Sequence, residues 1–133
     1  MLSLVSHPDY DIPLPDGHRF PSTKFSALMA RLAADEVRDR FTLLQPEPAG
    51  AADLARTQDP AYVEAIATGT LDADALRVLG LTWSQVLANR SFLAVNGTLL
   101  TARKALTHGL ACHAAGGTHH AHFAHGAGYC VFN

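Results

Sequence analysis

An α/β fold, a three-layer parallel sheet with helices on both faces, is predicted by three observations. Short apolar runs, Leu2-Ser3-Leu4-Val5-Ser6, Phe41-Thr42-Leu43-Leu44 and Leu110-Ala111-Cys112-His113, have the length and composition of strands. The segments between them carry helical spacing and helix stop signals, and strands joined by helical crossovers pair in parallel. With 133 residues and 48% hydrophobic content, the chain is long enough to bury a sizeable core as one domain.

After the first strand, His7 to Pro21 reads as a long loop, because Pro8, Pro13, Pro15 and Pro21 each exclude regular pairing. A helix follows, capped by Ser22 or Thr23, with Phe25, Leu28, Met29, Leu32 and Val37 on one apolar face assigned to the core. The strand at Phe41 to Leu44 is ended by Pro46 and Pro48, and Ala51 to Arg56 reads as a short helix. Asp59-Pro60 starts another, with Asp as N-cap and Pro in the first turn, carrying Tyr62, Val63 and Ile66. Asp72 caps a further helix that Gly80 ends. Trp83 to Thr107 is helical, with Gly97 at its middle and Gly109 closing it. Beyond the strand at Leu110 to His113, residues 114 to 128 read as a loop and Tyr129 to Phe132 as a further strand.

Charge is unevenly placed. All 12 Asp and Glu lie between Asp9 and Asp74, so residues 1 to 74 carry 6 basic against 12 acidic side chains, net −6. The remaining residues carry +4 and no carboxylate, and six of the eight histidines lie there, from His108 onward. Any carboxylate that orients those histidines comes from the first half or from chain beyond Asn133. An overall charge of −2 gives no reason to bind nucleic acid or an anionic membrane. No export signal or membrane-length apolar run is present, and a cytoplasmic setting is expected. The two cysteines, Cys112 and Cys130, do not make a disulfide framework and read as reduced thiols packed in buried strands.

The chemistry concentrates in Gly116-Gly117-Thr118-His119-His120-Ala121-His122 and the following Gly126-Ala127-Gly128-Tyr129-Cys130-Val131-Phe132-Asn133. Two adjacent imidazoles can divide base and acid duties near neutral pH, and the glycines permit backbone angles that aim both into one pocket. The plainer alternative is a solvated, histidine-rich turn. Another is a non-catalytic module in which His113, His119, His120, His122 and His125 hold a metal ion or a partner. Asp16-Gly17-His18, the one Asp-x-His triplet, sits in the Pro-rich loop and reads as a turn.

These residues resemble a known family. Gly-Gly-Thr-His-His at 116 to 120 with Gly-Tyr-Cys-Val-Phe-Asn at 128 to 133 is similar to the active-site core of the zinc-dependent histone deacetylases, in particular bacterial and class IV-like members. The likeness extends through His7-Pro8-Asp9-Tyr10, Leu14-Pro15, His18-Arg19-Phe20-Pro21, Lys24-Phe25, Glu47-Pro48-Ala49 and Asp59-Pro60-Ala61-Tyr62-Val63. It continues in Gly80-Leu81-Thr82-Trp83-Ser84, Arg90-Ser91 and Gly97-Thr98-Leu99. Gln58 departs from it, since many relatives carry His there.

The resemblance implies an arginase-like parallel sheet and hydrolysis of acyl-lysine or similar acylated amines. It implies that His119 and His120 handle the protons of a zinc-bound water and the leaving amine, that Gly128 and Tyr129 line a narrow channel, that Cys130 packs beside it, and that Arg19 lies near its inner end. The family's zinc ligands and orienting carboxylates have no counterpart among residues 1–133. The chain is therefore expected to be the N-terminal part of one deacetylase-like domain, inactive alone and able to associate with itself through an open sheet edge.

Overall fold

The computed structural model describes residues 1–34 and 37–133. Three parallel strands form one sheet in the order β2-β1-β3, with β1 (Leu2–Val5) between β2 (Phe41–Leu44) and β3 (Ala111–His113). Leu4 sits opposite Leu43 on one side and Cys112 on the other. Parallel neighbours need long connections. The chain supplies α1 (Lys24–Ala34) between β1 and β2, and α2 (Ala51–Leu54), α3 (Pro60–Thr68), α4 (Ala73–Leu79) and α5 (Gln85–His108) between β2 and β3.

Local chemistry sets the helix ends. The Asp59 carboxylate accepts from the Ala61 N–H at 2.9 Å, that of Asp72 from Ala75 at 2.7 Å, and the Ser84 hydroxyl from Leu87 at 3.0 Å. Each satisfies a first-turn donor that would otherwise lack a partner. Gly69, Gly80 and Gly109 close α3, α4 and α5 in the left-handed conformation. At α1 the acceptor is neither Ser22 nor Thr23: Asp11, from the preceding loop, takes the Ser26 N–H at 3.2 Å.

The main core joins Leu54, Tyr62, Val63, Ile66, Leu79, Leu87, Val131 and Phe132. Tyr62 and Phe92 meet the Phe132 ring edge-on, with centroids 5.8 and 5.3 Å away. The long α5 packs against β1 and β3, which brings the middle of the helix over the end of the sheet. No helix among the described residues is long and apolar enough to cross a membrane.

Three expectations need correction. Tyr129 to Phe132 is not a strand; its one β-type pairing among the described residues is an antiparallel bridge between Ala127 and Cys130. Gly128 and Tyr129 adopt φ of +54° and +67°, which turns the chain, and the Val131 and Phe132 carbonyls accept from the Tyr62 and Thr118 hydroxyls instead of from a ladder. Cys112 is exposed on β3 while Cys130 is buried, and both are free thiols. The stripe on α1 is only partly core: Phe25 is buried, but Leu28 is 42% exposed and Val37 lies beyond the helix. Phe25 and Met29 of α1 instead border, with Leu43 of β2, a cavity of about 290 Å³.

Candidate active site

The chain leaves β3 at His113 and enters the glycine-framed loop. Its Thr118 hydroxyl donates to the Phe132 carbonyl, pinning the loop to the segment that follows. His119 and His120 come next, with ring centroids 4.1 Å apart and planes inclined by 43°. The two rings share one place rather than diverging as they would in a strand. Both are exposed, and neither has a hydrogen-bond partner among the described residues. The His120 ring lies against Gly128, where a Cβ would stand 3.2 Å from the imidazole carbon.

Gly128 and Tyr129 form the adjoining wall. The Tyr129 N–H donates to the Leu79 carbonyl at 2.9 Å, and its half-buried ring meets His18 at 5.5 Å and Phe20 at 5.6 Å between centroids. His18 holds its own place through both ring nitrogens. Nδ1 accepts from the Phe20 N–H at 3.0 Å, which leaves the proton on Nε2 to donate to the Gly80 carbonyl at 3.0 Å. Beneath the wall is a cavity of about 70 Å³, bordered by Phe20, Phe25, Arg90, Thr118, Tyr129 and Cys130.

The arginine at this cavity is Arg90 of α5, not Arg19, which is exposed. Arg90 is 5% exposed; its Nε donates to the Tyr10 carbonyl at 3.3 Å and its guanidinium lies 5.1 Å above the Phe25 ring. Burial lowers its pKa from the ordinary arginine value. Next to it, the Tyr10 hydroxyl lies 2.8 Å from His113 Nε2, and Thr98 Oγ1 lies 3.3 Å from Nδ1. Burial, reinforced by Arg90, depresses the His113 pKa to about 4, while burial pushes Tyr10 up to about 12 against the pull of Arg90. His113 is thus a neutral, hydrogen-bonded packing residue, separate from the exposed pair. His122 and His125 stack with centroids 4.5 Å apart on the outer part of the loop.

Of the residues singled out in the sequence, His119, His120, Gly128, Tyr129 and Cys130 lie on or beside one wall, and Arg19 does not. Sequence alone places His18 in a turn and Phe25 in the core, with no hint that either borders this wall. For Arg90 a signal exists. Leu87, Arg90, Ser91, Ala94 and Gly97 follow helical spacing on the buried face of α5, so a charge falls where apolar residues belong. Among the described residues, no three His, Cys, Asp or Glu side chains come together as a metal site. They do not fit a zinc ion by themselves, and the His-rich metal module has no site among them.

Comparison with known proteins bears on the family and the fold. The family model of the histone deacetylase domain matches residues 18–133. An uncharacterized protein of a Picosynechococcus species is 46% identical over 130 residues, a match covering 98% of this chain and 43% of that protein. The crystal structure of the HDA15 HD domain shares the fold with a TM-score of 0.79 at 16% identity, covering 99% of this chain and 40% of that one. The chain therefore spans less than half the length of either protein. The family match, running from the Pro-rich loop through the histidine pair to Asn133, shows that this chain belongs to the histone deacetylase family.

Proposed function

We propose that the chain supplies the proton-handling part of an amide hydrolase site that removes acetyl or related acyl groups from acyl-lysine or similar acylated amines. The observation that carries this reading is the approach of the His119 and His120 rings to 4.1 Å beside Gly128 and Tyr129. In amide hydrolysis, water oxygen adds to the acyl carbon and the C–N bond breaks, leaving a carboxylate and a free amine. One proton must leave the water and one must reach the departing nitrogen. A neutral imidazole takes the first and an adjacent imidazolium gives the second, a division of labour worth about 10²- to 10⁴-fold in rate.

The half-buried Tyr129 ring offers an apolar face to the methylenes of an acyl-lysine side chain, and the Gly128 carbonyl accepts from the substrate amide N–H. Zinc belongs to this reading, but the described residues do not form its site. What this chain contributes is a proton donor and acceptor and a wall. Carboxylates that orient the two imidazoles belong to this reading as well, and none is hydrogen-bonded to either imidazole among the described residues.

The test is a chimera in which residues 1–133 replace the matching part of the Picosynechococcus relative. With zinc added, the chimera should release acetate from an acetyl-lysine peptide, while the isolated 133-residue chain should not. Turnover by the isolated chain, or none by a folded chimera, would overturn this reading.

A further inference from the structure

We infer that His18 is a positioning residue for the Tyr129 ring and, through that ring, sets how wide an amine the wall admits; the second part rests on the reading of Tyr129 as a substrate wall. His18 and Tyr129 hang from consecutive carbonyls at the end of α4. Tyr129 N–H bonds Leu79, and His18 Nε2 bonds Gly80 across 62 positions of sequence. Two anchors one residue apart fix the two rings edge to face, at 5.5 Å and 64°. The other nitrogen of His18 holds the Phe20 N–H, which brings the Phe20 ring onto Tyr129 at 5.6 Å. One neutral tautomer thus places two of the groups that touch Tyr129.

Gly80 completes the cage, since a Cβ there would stand 2.9 Å from Tyr129 Cε1. Tyr129 itself holds φ of +67°, a conformation that a residue with a side chain keeps only where its surroundings over-determine it. No hydrogen bond to its hydroxyl occurs among the described residues, so packing alone sets where the ring stands. The Pro-rich loop, remote in sequence from the histidine pair, thereby controls the wall beside it.

Two variants test this. His18→Asn keeps a short acceptor for the Phe20 N–H, as in an Asx turn, but is too short to reach the Gly80 carbonyl and removes the ring. His18→Ala removes all three interactions. The proximity of the Tyr129 and Phe20 rings is followed by NMR through their mutual Overhauser effects, with the thermal midpoint as control. Affinities are measured for an acetylated straight-chain butylamine and an acetylated cyclohexylamine. In His18→Asn the chain should stay folded with a midpoint lowered by no more than one hydrogen bond and one ring contact are worth, the ring-to-ring Overhauser effects should vanish, and preference for the straight amine should fall about fivefold, the size of one aromatic interaction.

Ring-to-ring Overhauser effects unchanged in both variants would overturn the positioning role. Separation of the two rings with the preference intact would overturn the control of width. A wild-type chain with no affinity for either amine would overturn the wall reading itself, and the Overhauser effects would still decide whether His18 holds Tyr129.

Discussion

Gly97→Ala inverts the usual sign of a helix substitution. In an exposed helix interior, alanine is favoured over glycine by about 1 kcal/mol. Gly97 is buried at the middle of α5, and a methyl there would overlap both His113 Nε2 and Tyr10 Oη, the two atoms of one part-buried hydrogen bond. If the pair separates, buried polar groups lose their partners at about 1–3 kcal/mol. If α5 moves off β3 instead, overpacking costs about 1–3 kcal/mol. Less the helix gain, the variant should lose up to about 2 kcal/mol, a fall of up to roughly 8 °C in Tm for a chain of this size. Thermal or urea unfolding followed by circular dichroism reads it. Adding Tyr10→Phe, which removes one colliding atom, should recover part of the loss, so the double variant departs from additivity. A rise in Tm for Gly97→Ala alone would refute the reasoning.

His113 predicts an acid limb in stability. Its pKa is depressed to about 4 in the fold, against the ordinary 6.5, so the unfolded chain binds more protons between those values. Stability is fully present above about pH 6.5 and falls by about 2–3 kcal/mol as pH drops towards 4. Urea midpoints against pH should show this slope, and His113→Gln should flatten it; an equal slope in both proteins would count against the assignment. The thiols should differ: Cys112, exposed, reacts at once with an aromatic disulfide reagent, while Cys130, buried, reacts only on unfolding. Two equally fast thiols would contradict the burial. Asp59→Ala should lower stability by about 1 kcal/mol by removing the cap on α3, read as a fall in urea midpoint. No change in midpoint would mean that the Asp59 bond to Ala61 contributes nothing.

What could be read from the sequence was mostly local. Asp59-Pro60, Asp72 and Gly80 mark helix ends through hydrogen bonds and backbone angles confined to a few residues: α3 begins at the first, and α4 begins and ends at the other two. Apolar β-type runs located β1, β2 and β3 to within a residue or two. The same reasoning failed at Tyr129 to Phe132, because an apolar run reports burial and not pairing; Tyr62 and Thr118, distant in sequence, satisfy those carbonyls. The stripe on α1 showed one apolar face without showing how much of it is covered. In the site, the histidine pair and the Gly-Tyr turn lie close together in sequence and were legible. Arg90 and His18 reach the same wall from 39 and 111 positions away from Tyr129, through bonds to the Tyr10 and Gly80 carbonyls that no short window contains.

The proposed role of His119 and His120 is that of one proton-handling unit. The most direct measurement is kcat for deacetylation by the chimera carrying His119→Ala, His120→Ala, or both, with folding verified for each. Each single change should cost about 10²- to 10⁴-fold, and the double change little more than the worse single one, as for residues that work together. Turnover retained in the double variant, or losses that simply multiply, would contradict the account.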